Sequence, residues 1–299
     1  MVNLSKAFES GARADIVFCV DGETIPAHSL ILYFGSPVFA TMFDGPLAPK
    51  SENGEKPVIK IDDERISAEN FKLFLGFLYT DKVEITGDNA FALLNMAKMY
   101  DVESLVELCE DFLTKRLMPE NVVTIANSAS IFHDSEIFKI AVEFIVTKSD
   151  VWKDEQKYYE MNDEVLSAVL KQDKILNLKD LILCHPPYGY MNGMCRVCYR
   201  AIPLPSEVDL FNLMLKWGKT QCKIKNLEEN PENLREVLKS CLPFIRFPTM
   251  TILELRDTVY PTKLLDGAAM AAVFVDAINF AQNQTTNEST FSKVRRSFW

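Results

Sequence analysis

Apolar and polar positions in the first third of the chain change period several times. Ile16-Val17-Phe18-Cys19-Val20 is a short apolar run that meets Asp21-Gly22 and returns through Thr24-Ile25-Pro26-Ala27-His28. Two apolar runs around Asp-Gly predict a β-hairpin, because the type I′ turn needs residues that tolerate positive φ. Leu30-Ile31-Leu32 and the run from Gly35 to Phe43 then read as helix. Gly45-Pro46-Leu47-Ala48-Pro49-Lys50-Ser51-Glu52-Asn53-Gly54 is dense in breakers and predicts an exposed loop. Val58-Ile59-Lys60-Ile61 predicts a strand. Phe71, Phe74, Leu75 and Leu78 fall at i, i+3, i+4 and i+7, one face of an amphipathic helix. Val83-Glu84-Ile85 alternates and predicts a further short strand. Nothing in this stretch has the look of catalysis; it suits pairing with other proteins.

From about Asn89 the pattern is helical almost throughout. Leu105, Leu108, Cys109 and Phe112 repeat the helical stripe, as do Val122, Ile125, Ala126 and Ala129, and Leu234, Val237, Leu238 and Cys241. Met118-Pro119-Glu120-Asn121 breaks the first set of helices from the second, since proline is tolerated only in a first helical turn. That places a domain boundary after residue 117, with a mixed α/β domain before it and a helical array behind it. Cys184 to Ser206 interrupts the array with Pro186, Pro187, Gly189, Gly193, Pro203 and Pro205 and reads as a long loop insertion. A gene-model artefact would leave the same mark, because the helical runs on either side would read on if joined. The polar stretch after Ala281 predicts a disordered tail.

Composition narrows the function classes. The 299 residues suit about two domains with their own cores, and 48% hydrophobic with 25% charged residues describes a folded soluble chain. A net charge of −10, from 42 acidic against 32 basic residues, argues against general nucleic-acid binding, which needs a basic footprint. The N-terminus has no apolar signal core, and Leu264 to Ala281 carries Asp266 and Asp276 and is too short to span a bilayer. No membrane association is expected. Seven cysteines without a framework fit reduced thiols in the cytoplasm, or also the nucleus. The sequons at Asn283 and Asn287 are then expected to stay unmodified.

Several separated motifs, in order, resemble one family. Asp15-Ile16-Val17-Phe18, Ile25-Pro26-Ala27-His28, Leu32, Ser36-Pro37-Val38-Phe39 and Met42-Phe43 are similar to the BTB (POZ) domain. Phe77-Leu78-Tyr79-Thr80-Asp81 and Ala97-Lys98-Met99-Tyr100-Asp101-Val102 match two further motifs of that family. The helices that follow resemble the BACK domain. Leu215-Lys216-Trp217 and Leu242-Pro243-Phe244-Ile245-Arg246-Phe247-Pro248 carry that likeness. The implied fold class is α+β: a BTB/POZ domain over 1–117, a small sheet flanked by helices, followed by an all-α BACK-like array over 118–260 with the insertion 184–206. Residues 261–299 are expected to be a C-terminal helix and polar tail. The resemblance is to BTB–BACK adaptors that end in a PHR β-sandwich, which this chain is expected to lack, together with kelch repeats and a MATH domain.

The resemblance implies a homodimer that recruits cullin-3, the scaffold of a ubiquitin ligase, and links it to a protein substrate. A BTB surface would offer its groove to an amphipathic cullin helix. Phe43, Asp44, Leu47 and Tyr100 are the implied groove and rim contacts, and Leu4, Ala7 and Phe8 on the N-terminal helix the implied dimer contacts. Two positions depart from the family. Pro49 stands where relatives carry a glutamate that supports cullin binding, with Glu52 further along the loop. Gly35 stands where a basic residue commonly faces the first strand's aspartate, so Asp15 is expected to lack that partner. The alternative is a dimerising scaffold without cullin binding, serving transcription or cytoskeletal assembly, or a competitor of full-length relatives.

Candidate chemistry is sparse, and neither an enzyme nor a cofactor is expected. His28 reads as a hydrogen-bonded structural residue with no nucleophile beside it in sequence. Cys195 and Cys198, with Cys184 and His185, have the residue types of a zinc site. Adjacent Cys184 and His185 ligate together only with strain, and no second spaced pair exists, so free thiols in a loop are the expected state. Gly218-Lys219-Thr220 lacks the upstream glycine of a phosphate loop. Lys293, Arg295 and Arg296 form a short, solvated basic tail. Glu103, Glu107, Glu110 and Asp111 predict an outward helix face, with Lys115 four residues after Asp111 for an ion pair. Phe39 and Met42 are expected inside, and Phe43 near the surface.

Overall fold

The computed structural model describes residues 4–46, 48–51, 55–63, 65–132, 134–147, 155–173 and 206–282, and the backbone alone of 190–191 and 194–195. The chain divides into two units, Met1–Arg116 and Leu117–Trp299.

In the first unit, Asp21 and Gly22 both take positive φ, 49° and 77°, the geometry that the Asp-Gly pair favours. They join strand β1 (Ile16–Val20) to β2 (Glu23–Ala27) in an antiparallel pair with Phe18 opposite Ile25. Strand β3 (Val58–Ile61) lies parallel to β1 on its other side, giving the order β2-β1-β3. Pro26, which has no N–H to give, sits on the edge strand β2, where a sheet tolerates it. Alternation puts Ile16, Phe18, Val20, Ile25 and Ala27 inside.

Helices α1 (Leu4–Ser10), α2 (Ser29–Gly35), α3 (Pro37–Asp44), α4 (Ala68–Thr80), α5 (Ala90–Met99) and α6 (Glu103–Thr114) complete the unit. Ser36-Pro37 starts α3 for a clear reason. The Ser36 hydroxyl accepts from the Phe39 N–H at 3.2 Å and donates to the Tyr100 carbonyl at 2.5 Å, while Pro37 fills a first-turn position that needs no donor. The Phe18, Phe39, Phe71, Phe74 and Tyr100 rings form the centre of the core, Phe39 and Tyr100 stacking at 4.5 Å.

Three local expectations fail. Val83-Glu84-Ile85 is irregular and its Glu84 carbonyl serves the start of α5: Asn89 donates to it at 3.0 Å and accepts from the Thr86 N–H at 2.8 Å. On α6 the buried face is Leu105, Val106, Cys109 and Leu113, while Leu108 is 45% exposed and the Arg116 guanidinium lies over the half-buried Phe112. The acidic face is also not wholly outward. Lys115 pairs with Asp111 at 2.6 Å in the open, but Glu110 is tucked in beside Lys98 at 3.2 Å.

The second unit is helical among its described residues, apart from a two-residue antiparallel pairing of Tyr190–Met191 with Met194–Cys195. Val122, Ile125, Ala126 and Ala129 are all buried. Trp217, on the helix Glu207–Ile224, donates its indole N–H to the Met161 carbonyl at 3.0 Å. Gly218 is packing, not phosphate chemistry: a Cβ there would meet Leu238 at 2.8 Å. Arg246 is 5% exposed and donates to Asp173 through its guanidinium and to Glu207 through its N–H at 3.1 Å. The helix Gly267–Ala281 ends the described part. No helix among the described residues is long and apolar enough to cross a membrane.

Candidate protein-interaction surface

The surface of the first unit is built on α4. Helix α1 buries none of its residues and rests on α4 through Phe8, whose ring centroid lies 4.9 Å from that of Tyr79 and whose edge passes Gly76. Leu4 is exposed, and Ala7 and Phe8 are half-buried. Helix α2 also packs on α4, with Gly35 so close to Leu78 that a Cβ would stand at 3.2 Å. Glycine at this position permits that close approach. The α2 face turned away from buried Leu32 carries Leu30, 68% exposed, and Phe34, 80% exposed. Sequence reading missed this pair. Its i, i+4 spacing opposite Leu32 was the available clue.

Behind these helices lies a closed hydrogen-bonded cluster. The His28 N–H donates to the Tyr79 hydroxyl oxygen at 2.8 Å, and one ring nitrogen, Nδ1, lies 2.8 Å from the same oxygen. Nε2 lies 2.9 Å from the Ala12 carbonyl, which can only accept, so Nε2 carries the ring proton and the Tyr79 O–H donates to Nδ1. Burial pushes the Tyr79 hydroxyl up to about 12, with the His28 N–H pulling down and the Asp15 charge adding to the rise. Asp15 does find a partner. Its carboxylate accepts from the Ser29 N–H at 2.7 Å and from the Ser29 hydroxyl, tying the start of β1 to the first turn of α2. Partial burial raises the Asp15 pKa, but these bonds outweigh it and the net shift is downward.

The expected groove contacts separate. Asp44 is exposed and accepts from the Tyr33 hydroxyl at 2.7 Å, a bond that raises the Tyr33 pKa. Phe43 is half-buried and stacks on Phe39 at 5.8 Å. Met42 is half-buried as well, so only Phe39 of the three is fully inside. Tyr100 is no rim residue: it is 4% exposed in the aromatic core, and desolvation with the nearby Asp63 charge pushes its hydroxyl up to about 12. Its helix-end position in the sequence gave no sign of this stacking. Leu47 lies outside the described residues, as does Glu52, while Pro49 is half-buried.

A three-stranded sheet flanked by helices, with Ser36-Pro37 capping a core helix, is matched by a family model described as BTB/POZ domain over residues 4–117. Residues 4–117 are a BTB/POZ domain. Human BTB/POZ domain-containing protein 6 is 26% identical over 273 residues, covering 90% of this chain and 44% of the relative. The mouse protein of that name is 27% identical over 86% of this chain and 42% of the relative. Human BTB/POZ domain-containing protein 3 is 25% identical over 82% of this chain and 41% of the relative. The chain thus spans less than half the length of these curated relatives. BTB/POZ domains in general mediate dimerisation and other protein contacts, and the helical region after this one is consistent with a BACK-like region.

The zinc candidates Cys184, His185 and Cys198, the side chain of Cys195, and the basic tail residues Lys293, Arg295 and Arg296 all lie outside the described residues. Among the described residues, no group of three or more histidine, cysteine or acidic side chains is placed to hold a metal ion. Cys109 is buried, and desolvation, helped by the Glu110 charge, pushes its thiol up to about 12, away from thiolate chemistry.

Proposed function

We propose that this chain is a protein-interaction adaptor that pairs with a second copy through its BTB/POZ domain, recruits cullin-3, and presents a protein substrate to the ligase. It contributes geometry and no chemistry, and works in the cytoplasm or also the nucleus. The observation that carries the pairing is the apolar face of α2, where Leu30 and Phe34 stand largely in solvent at 68% and 80% exposure. Large apolar side chains grouped on one helix face of a folded domain mark a contact site. Leu4 on α1 is a further exposed apolar side chain of the domain. The last turn of α3, with Phe43 and Asp44, and Leu47 beyond it form the proposed cullin contact, and Asp44 is held for it by Tyr33.

A second reading keeps the dimer and drops the cullin. Pro49 in the glutamate position favours it, and so does the loss of Tyr100 to the core. Pull-down and titration with the cullin-3 N-terminal region separate the two. Binding at micromolar concentration or tighter supports the ligase role, with Pro49→Glu tightening it by roughly tenfold, the worth of about one charge-assisted hydrogen bond. No binding at that concentration by either protein leaves the scaffold.

A further inference from the structure

Helix α1 is seven residues long and buries none of them. Such a helix has no stability of its own, so its place depends on what ties it down. Three ties are visible. The Phe8 ring lies on Tyr79 and Gly76. Gly11 takes φ +59° just after the helix, so close to Pro26 that a Cβ would stand 2.7 Å from its ring. The His28 Nε2–H holds the Ala12 carbonyl at 2.9 Å. Two of the three ties meet in one pair of side chains, because the Tyr79 ring carries Phe8 while its hydroxyl exchanges two hydrogen bonds with His28.

We infer that His28 and Tyr79 form a latch that fixes α1 in place before a second copy arrives, so that pairing orders little new chain. His28 is the positioning residue. It touches no partner itself, but it joins the exit from α1, the start of α2 and the end of α4 through one imidazole. Two helices that hold apolar side chains in solvent, α1 with Leu4 and α2 with Leu30 and Phe34, are thereby referred to one point on α4. An interface segment held in its bound form loses less freedom on association, and the gain appears as affinity. The inference rests on the pairing proposed above and adds to it the residue that prepares the surface.

The full chain and its variants serve for the test, with two readouts: the dimer dissociation constant by sedimentation, and hydrogen exchange of the α1 amides and of the Gly11 N–H, which bonds to Ala7 at 3.1 Å. His28→Ala is expected to weaken the dimer by about tenfold and to speed α1 exchange by a similar factor, the effect of losing a net hydrogen bond or two. His28→Gln places an amide N–H where Nε2 was and is expected to restore both readouts to within about threefold. His28→Asn reaches only the Tyr79 side and is not expected to rescue. Tyr79→Phe keeps the Phe8 contact and removes the hydroxyl, giving the same direction of change if His28→Ala fails to fold. Unchanged dimerisation and unchanged α1 exchange in these variants overturn the latch. A wild-type chain that stays monomeric overturns the pairing instead, and the exchange readout then decides the latch alone.

Discussion

Helices α2 and α3 are neighbours of nearly equal length, joined at Ser36, and both are rich in aliphatic and aromatic residues. They spend those residues in opposite ways. α3 turns Phe39 wholly into the core and leaves Met42 and Phe43 half-covered, so its apolar content is used within the domain. α2 buries Leu32 alone and holds Leu30 and Phe34 out in water. Apolar content therefore does not separate core from contact surface. What separates them is what lies over each side chain: Phe39 of α3 meets the Phe18 and Tyr100 rings, whereas α2, packed on α3 and α4, leaves Leu30 and Phe34 uncovered.

The sharpest way to break this contrast is to truncate one aromatic from each helix. Phe39→Ala removes a fully buried ring that stacks on Tyr100 and meets Phe18 at its edge, and is expected to destabilise the first unit by about 3–5 kcal/mol. Urea titration measures this, and a loss below about 1 kcal/mol would show that Phe39 is not core. Leu30→Asp with Phe34→Asp, compared with wild type at a concentration where both are monomeric, should leave the urea midpoint almost in place, within about 0.5 kcal/mol, as exposed substitutions do. The same pair is expected to weaken the dimer by roughly a hundredfold or more, about 2.7 kcal/mol, if these side chains anchor it. Light scattering across a dilution series reads that outcome, and an unchanged dimer would move the interface elsewhere.

The smallest effect concerns the cap that joins β1 to α2. Asp15 has a folded pKa below its ordinary value of 3.8, so its bonds to Ser29 stabilise the fold fully above that value. As pH falls through the folded pKa the carboxylate takes a proton and this contribution disappears. Asp15→Asn is expected to cost roughly 0.5–1 kcal/mol at pH 7, at the low end because the group is partly open to water. The variant should also lose part of the wild-type decline in stability as pH falls below 3.8. Parallel acid dependences for the two proteins, measured by denaturation, would remove Asp15 from the account.

Much of the first unit was legible because its signals are local. Asp21-Gly22 names its turn through the backbone angles that these residues tolerate, and Ser36-Pro37 names a helix start through one hydroxyl and one missing N–H. Legibility ended where two local choices were nearly equal. Val83-Glu84-Ile85 alternates as a strand should, yet Asn89 takes the Glu84 carbonyl for the start of α5. Leu108 and Val106 are both apolar at helical positions, and only the seat of α6 against α5 sends Val106 inside and Leu108 out. The groove contacts were harder still, since Tyr100 left no trace in sequence of the rings around it, and Leu30 with Phe34 looks like one more buried stripe.

The hairpin, the strand Val58–Ile61, the Ser36-Pro37 helix start and the acidic character follow from the sequence alone, because each rests on neighbours a few residues apart or on a sum over all residues. Which side of each amphipathic helix is covered, where Asp15 finds its partner, and how His28 and Tyr79 come to hold the first helix were decided only in three dimensions. Those contacts join residues 14 to 51 positions apart, and no local preference of the chain can rank one such meeting against another.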